Sequence, residues 1–286
     1  MPGHIFLQTG DYELAAKTNV AASEADRAYV ERTGASGMYP LMYWTHNIIS
    51  SPTHACSRAL RRSDRGGTRM VSNVGSAVSD MQMLEGLRDM SALGPARLPR
   101  GGRGAGRRAA GGPGARAGIL APCAGRGAGD PRRARLAEQE RTAFAAAVAA
   151  VPAEDRFLIN NSAADFLAIA KLRCSMPRSR QPAARAIGLW AKAAERQEML
   201  QYDEPPPWYE PVARRQGFAL LRAGRHAEAE AVFRQALAER PRDGRLLFGL
   251  AETLRAQGRE GDAKLRRGRL ARVWDPSARA LRTGDL

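Results

Sequence analysis

The chain has 286 residues, with 45 Lys+Arg against 29 Asp+Glu for a net charge of +16, and only 6% of it is aromatic. That length suits one large domain or two small ones, and the thin aromatic content argues against an ordinary enzyme core of this size. No apolar run approaches the ~18 residues of a membrane span. No basic-then-apolar leader follows Met1-Pro2-Gly3-His4, and Cys56, Cys123 and Cys174 form neither a metal spacing nor a disulfide framework. These features predict a cytoplasmic protein with no cofactor, no metal and no membrane partner, and leave its oligomeric state open.

In chain order, residues 10–34 predict a helix after a turn at Gly10-Asp11, with Ala15, Asn19 and Ala22 on one small-residue face. Residues 37–47, GMYPLMYWTHN, concentrate Met38, Tyr39, Met42, Tyr43 and Trp44, and predict a buried helix opening after Pro40. A short helix is expected over 79–90, capped by Asp80. Residues 132–151 place Leu136, Glu140, Phe144, Ala147 and Val151 on one helical face, stopped by Pro152. Residues 162–172 follow as a helix with Ser162 as cap and Asp165 three residues on. Residues 183–200 predict another, with Ile187, Trp190 and Ala194 on one side. The run YDEPPPWYEP at 202–211 must be extended, and is expected to anchor internally through Trp208 and Tyr209.

The positive charge is concentrated. Residues 91–135 hold 10 Arg and 1 Asp, and 38 of these 45 residues are Gly, Ala, Arg or Pro. Residues 51–69 and 171–180 each add a net +4, which leaves the rest of the chain at −1. The 91–135 tract has no aromatic residue and too little apolar surface to offset the entropy of ordering. It reads as a disordered insert, and three origins are open to it. It can be a basic linker, or a phosphate-neutralising nucleic-acid tail, although it lacks the aromatics that stack on bases. It can also be a frame-disrupted stretch of a GC-rich gene, since those four residue types have all-G/C codons. All three cysteines fall in the three basic segments, which favours the last origin and argues against a nucleic-acid partner.

The strongest signal is a repeat. Leu220 and Leu254, Gly224 and Gly258, and Ala229 and Ala263 are each 34 residues apart, in LLRAGRHAEAE beside TLRAQGREGDA. Each block reads helix, one-glycine turn, helix. The glycine closes the turn, and the alanine five residues later admits a neighbouring helix. Phe233 and Ala236 continue the face, Pro241 ends the helix, and Gly217, Leu250, Leu254 and Ala263 take matching packing positions.

This period resembles the tetratricopeptide repeat superfamily. More narrowly, the chain is similar to a bacterial group of repeat proteins through MPGHIF at 1–6, YPLMYWTHN at 39–47 and YDEPPPWYEPVA at 202–213. Within that resemblance, pairs 214–240 and 244–272 are closing repeats, and Ala186, Trp190 and Ala193 match the roles of Ala229, Phe233 and Ala236. The chain begins inside the family pattern, as though an upstream repeat half were missing. Arg267 stands where Phe233 supplies an aromatic, which implies an exposed final repeat.

The expected fold is therefore all-α: a helix–turn–helix solenoid interrupted by the Gly/Ala/Arg/Pro-rich segment. It divides into a partial repeat region at 1–50, a low-order linker at 51–135 and a repeat domain at 136–286. Such arrays present concave surfaces to protein segments, so a non-enzymatic scaffold for an unknown protein or peptide is the leading expectation. A structural remnant without binding, an Arg/Gly nucleic-acid binder, and a hydrolase or metal protein using His4 and His46 are the alternatives. His4 and His46 are a possible polar site, and two histidines without a third ligand are weak metal evidence. No nucleophile elbow, zincin, Walker or dinucleotide motif is present. Limited proteolysis is expected to cut first between Arg97 and Arg135 and to leave 183–275 as the longest-lived fragment; equal protection along the chain would contradict this reading.

Overall fold

The structure, a computed structural model, describes residues 2–44, 46–47, 131–157, 159–174, 183–204, 206–208, 210–274 and 281. The helix expected at 79–90, the segment 51–69, the Arg/Gly tract up to residue 130 and residues 175–180 lie outside them. The described chain is all-α apart from one two-residue antiparallel pair.

Helix α1 spans Pro2–Thr9, a stretch the sequence marked only as a motif. Proline is suited to its first position, where the missing N–H would have had no partner. Gly10 turns the chain at φ 87° into α2, Tyr12–Thr33, which closes at Gly34 in the left-handed region. Ala15 and Asn19 are buried, as a single packed face requires. Ala22 lies half-buried on the same face, and Asp26 is the next fully buried position along it. The reason is that the following segment descends on Asp26 and supplies it with hydrogen-bond donors.

That segment, Tyr39–Trp44, is π-helical and starts at Tyr39 rather than after Pro40. It turns back onto α2, and the Trp44 Nε1–H donates to Ser23 Oγ at 3.2 Å. Helix α3, Pro131–Ala149, precedes the strands β1, Arg156–Phe157, and β2, Asn161–Ser162. The hairpin delivers Ser162 to the start of α4, Ala163–Cys174. Ser162 Oγ accepts from the Asp165 N–H at 3.0 Å, which caps the helix, and donates to Asp165 Oδ2 at 2.6 Å, so Asp165 holds the capping hydroxyl in place of the backbone arm of a capping box.

The remaining helices form successive pairs. They are α5, Ala183–Glu198; α6, Val212–Arg222; α7, His226–Glu239; α8, Gly244–Ala256; and α9, Glu260–Val273. Each packs on its sequence neighbours, and α6 also touches α8. Gly224 and Gly258, at φ 74° and 77°, make the two equivalent turns. The periodic alanines Ala229 and Ala263 are fully buried.

Phe233 is the centre of the stack. Its ring lies edge-on to Phe218, with centroids 5.1 Å apart. A Cβ added at Gly217 would meet it at 2.6 Å, and one added at Gly249 at 2.4 Å. The ring therefore occupies a slot that two glycines leave open on α6 and α8. Leu246, Leu250 and Leu254 complete this core. A second core holds Leu7, Phe144, Phe166, Ile169, Ala193 and Trp208, and half-buried Trp190 contacts both. In α5, Ala193 is buried and Ala186 half-buried.

The N-terminal helices are built into this array. Leu7, Tyr12 and Trp44 pack with the second core. The Arg242 N–H donates to Thr9 O at 2.9 Å, and Gly10 approaches the 242–243 backbone so closely that a Cβ would sit 2.4 Å from Asp243 N. Asp243 caps α8 by accepting from the N–H groups of Arg245 and Leu246 through Oδ1. Its Oδ2 accepts from the Tyr12 hydroxyl at 2.6 Å. Burial and the Asp243 charge hold the Tyr12 phenol well above its ordinary pKa, so it remains a donor.

Placing a methyl group at Gly249 must displace the Phe233 ring. Gly249→Ala is expected to destabilise the fold by about 1–3 kcal/mol, and Phe233→Ala by about 3–5 kcal/mol. Urea denaturation followed by circular dichroism checks both, and a Gly249→Ala protein as stable as the parent would refute the slot.

Candidate functional site

The two histidines marked in the sequence meet. His4, on α1, is 2% exposed, and its Nε2 lies 2.8 Å from His46 Nε2. Their rings are tilted by 58° with centroids 4.8 Å apart. Three elements produce this contact. Gly3 lets α1 lie against Asn19 of α2, where a Cβ would stand 2.5 Å from the Asn19 amide nitrogen. Asp26 of α2 accepts from the Tyr39 hydroxyl at 2.8 Å and from the Asn47 amide at 2.7 Å. That double clamp holds the 39–47 segment at both ends and so sets His46 over α1.

A third member comes from the proline-rich segment. Glu204 Oε2 is 3.9 Å from His4 Nε2, and Glu204 also accepts from the Tyr202 hydroxyl at 2.5 Å. Its neighbour Asp203 is buried and accepts from the backbone N–H of Asn160 at 3.0 Å and the side-chain amide of Asn161 at 2.8 Å. Asp203 thus fixes the segment to the β1–β2 hairpin, while Trp208 is buried against Phe166, centroids 5.3 Å apart. Tyr209, the other expected anchor, lies outside the described residues.

The electrostatics define what this cluster does. Burial, and then the neighbouring His4, push the His46 imidazole down to about 4. Burial also lowers His4, against an upward pull from Glu204. The Tyr202 hydrogen bond holds Glu204 below the usual carboxylate range. At neutral pH both imidazoles are therefore uncharged. One Nε2–H donates to the other Nε2, so each ring spends that nitrogen on its partner. His4 Nδ1 is buried with no described hydrogen-bond partner. Among the described residues, no group of three His, Cys, Asp or Glu side chains is placed to hold a metal ion. The pair acts as a neutral strut joining α1 to the 39–47 segment, with Glu204 of the proline-rich segment beside it. Glu204 and Asp26 were not connected with the histidines in the sequence, because nothing in one dimension relates positions 4, 26, 46 and 204.

The second candidate is the face of the repeats. Arg245, Phe248, Glu252 and Arg255 recur at i, i+3, i+7 and i+10 along α8, and each is half-buried or exposed. At the end of α6, Leu221 is half-buried and Arg222 exposed. The Arg245 guanidinium lies 5.6 Å from the Trp274 ring centroid, and Glu252 pairs with Arg255 at 2.8 Å and Arg267 at 2.9 Å. Arg267, in the place of the repeat aromatic, is half exposed, as expected of a final repeat. Pro241 is half-buried at the end of α7, while Leu250, Leu254 and Ala236 are buried.

A family model described as a tetratricopeptide repeat matches residues 220–271. The chain thus carries a tetratricopeptide-type repeat domain over part of its length, comprising α7, α8 and α9 with the end of α6. No curated protein and no solved structure matches the chain. No helix among the described residues is long and apolar enough to cross a membrane.

The depressed His46 pKa makes the fold acid-sensitive. The unfolded chain protonates His46 below about pH 6.5, while the folded chain resists until about pH 4. Stability from this group is therefore complete above that window and falls as the pH drops through it, by up to about 3 kcal/mol. Urea midpoints measured across the window should decline for the parent and decline less for His46→Gln; identical pH profiles would show that His46 is not held neutral.

Proposed function

We propose that this chain is a non-enzymatic helical-repeat scaffold, cytoplasmic in location, that binds a protein or peptide segment across α6 and α8. The observation that carries the reading is the half-exposed stripe of α8 on an otherwise close-packed stack of helix pairs. α8 buries Leu246, Leu247, Leu250 and Leu254 on one side. On the other it offers two guanidinium groups, a carboxylate and an aromatic ring. This mixture suits an extended peptide, which needs hydrogen-bond partners for its backbone and a few apolar contacts.

The match to a tetratricopeptide repeat over 220–271 supports the same reading, since arrays of this type present such surfaces to partners. The narrower likeness to a bacterial repeat group is supported by the structural work of its motif residues. Tyr39 and Asn47 clamp Asp26, and Asp203 secures the proline-rich segment. The neutral, mutually bonded His4–His46 pair favours a structural role over hydrolysis.

Arg245→Glu combined with Arg255→Glu reverses two charges of the stripe without entering the core. Surface ion pairs contribute about 0–1 kcal/mol, so helicity and melting temperature should hold. Photo-crosslinking in cell extract is expected to capture a defined partner with the parent chain and to lose it with the double variant. Capture of the same partner by both chains would overturn this surface, and the absence of any partner would overturn the scaffold reading.

A further inference from the structure

A second surface lies away from the α8 stripe, in a cleft of about 190 Å³ between α7 and α9. Its floor is apolar: Leu237, Pro241 and Leu247 line it with Leu250. Its walls are cationic, with Arg234 from α7 and Arg266 and Arg269 from α9. We propose that this cleft binds an acidic peptide segment, seating one apolar side chain on the leucine floor and its flanking carboxylates on Arg266 and Arg269.

Unmet charge is the first argument. The carboxylates nearby are already committed: Glu230 is shared by Arg234 at 2.7 Å and Arg259 at 2.8 Å, and Asp262 is held by Arg259 at 2.5 Å. Arg266 Nε is buried with no hydrogen-bond partner among the described residues. Burial, and then the adjacent Arg234 and Arg269, hold the Arg266 guanidinium below its ordinary pKa, against a weaker pull from Asp262. Arg234 already shares Glu230, so it is the mutual repulsion of Arg266 and Arg269 on the opposite wall that an incoming carboxylate relieves, through charge-assisted hydrogen bonds. α9 carries its acids, Glu260 and Asp262, in its first turn and Lys264, Arg266, Arg267, Arg269 and Arg272 after them. The cleft faces this cationic portion.

Shape and lining decide which anion fits. Among the described residues no aromatic side chain lines the cleft, so a nucleic-acid base finds nothing there to stack on. The leucine and proline floor gives no partner to a second phosphate, whereas it matches an aliphatic side chain. The volume is that of a side chain or two, not of a nucleotide run. An apolar residue flanked by glutamate or aspartate satisfies both floor and walls.

This inference goes beyond the α8 surface and does not depend on it, since the two share no residue. The test is fluorescence anisotropy on the full chain, with a labelled peptide of repeating Leu-Glu-Glu units and its Leu-Gln-Gln counterpart. The glutamate peptide should bind with a strong salt dependence, and the glutamine peptide only weakly. Arg266→Ala should weaken the glutamate peptide about tenfold, the equivalent of one charge-assisted contact. Arg269→Glu, at an exposed position, should do at least as much and guards against an Arg266→Ala protein that fails to fold. Arg185→Ala, on α5, should change nothing, and neither should the Arg245→Glu/Arg255→Glu pair beyond its general loss of positive charge. Equal affinity for the two peptides, or undiminished binding by Arg269→Glu, would overturn the proposal. So would polyuridylate displacing the peptide and binding more tightly, which would make the cleft a phosphate site.

Discussion

The described repeats depend on one contact: the ring of Phe233 set between Gly217 and Gly249. A ring in that slot ties three helices together, because α7 supplies the ring while α6 and α8 each give up a side chain to admit it. Phe218 closes the slot edge-on, and the buried alanines of α7 and α9 allow the next helices to approach. Close-packed interiors tolerate neither a gap nor an added methyl at such a point. The spacing of the helix pairs follows from this contact, and with it the presentation of the α8 stripe and the width of the α7–α9 cleft.

Buried acids do the corresponding work at the joints. Asp243 caps α8 with one oxygen and receives Tyr12 with the other, so a single carboxylate fixes both the last repeat and the N-terminal helices. Asp26 receives Tyr39 and Asn47, and Asp203 receives Asn160 and Asn161. In each case a buried anion is satisfied by neutral donors from a distant segment, an arrangement that costs heavily if one donor is lost. The His4–His46 pair belongs with these joints. It is polar, uncharged and largely buried, and it joins α1 to the 39–47 segment beside the apolar contacts of Leu7 and Trp44.

The surface charge divides into two kinds. Most exposed pairs on the repeats are local, such as Arg225 with Glu228 and Arg255 with Glu252, and contribute little to stability. Arg266 and Arg269 of the α7–α9 cleft differ, because Glu230 and Asp262 nearby are held by Arg234 and Arg259. A positive net charge by itself says only that anions are attracted. Where the positive groups are held over an apolar floor, that attraction becomes selective.

The sequence by itself determined the helices of the repeats, their turns and their inward faces. The 34-residue spacing of Leu220, Gly224 and Ala229 against Leu254, Gly258 and Ala263 is a local pattern, and helix periodicity converts it directly into buried positions. It also marked Ser162 as a cap and Trp208 as an anchor, each readable from its immediate neighbours. Only the tertiary structure decided which segments meet. Gly249 looked like any helical glycine until Phe233 arrived beside it, and the charged Asp26 is buried because Tyr39 and Asn47 descend on it. Tyr12 and Asp243 stand 231 positions apart, and Arg234, Arg266 and Arg269 come together only when α7 and α9 both pack on α8. Periodicity fixes which side of a helix is buried, but the partner of that side depends on how distant helices stack, and no spacing along the chain encodes that meeting.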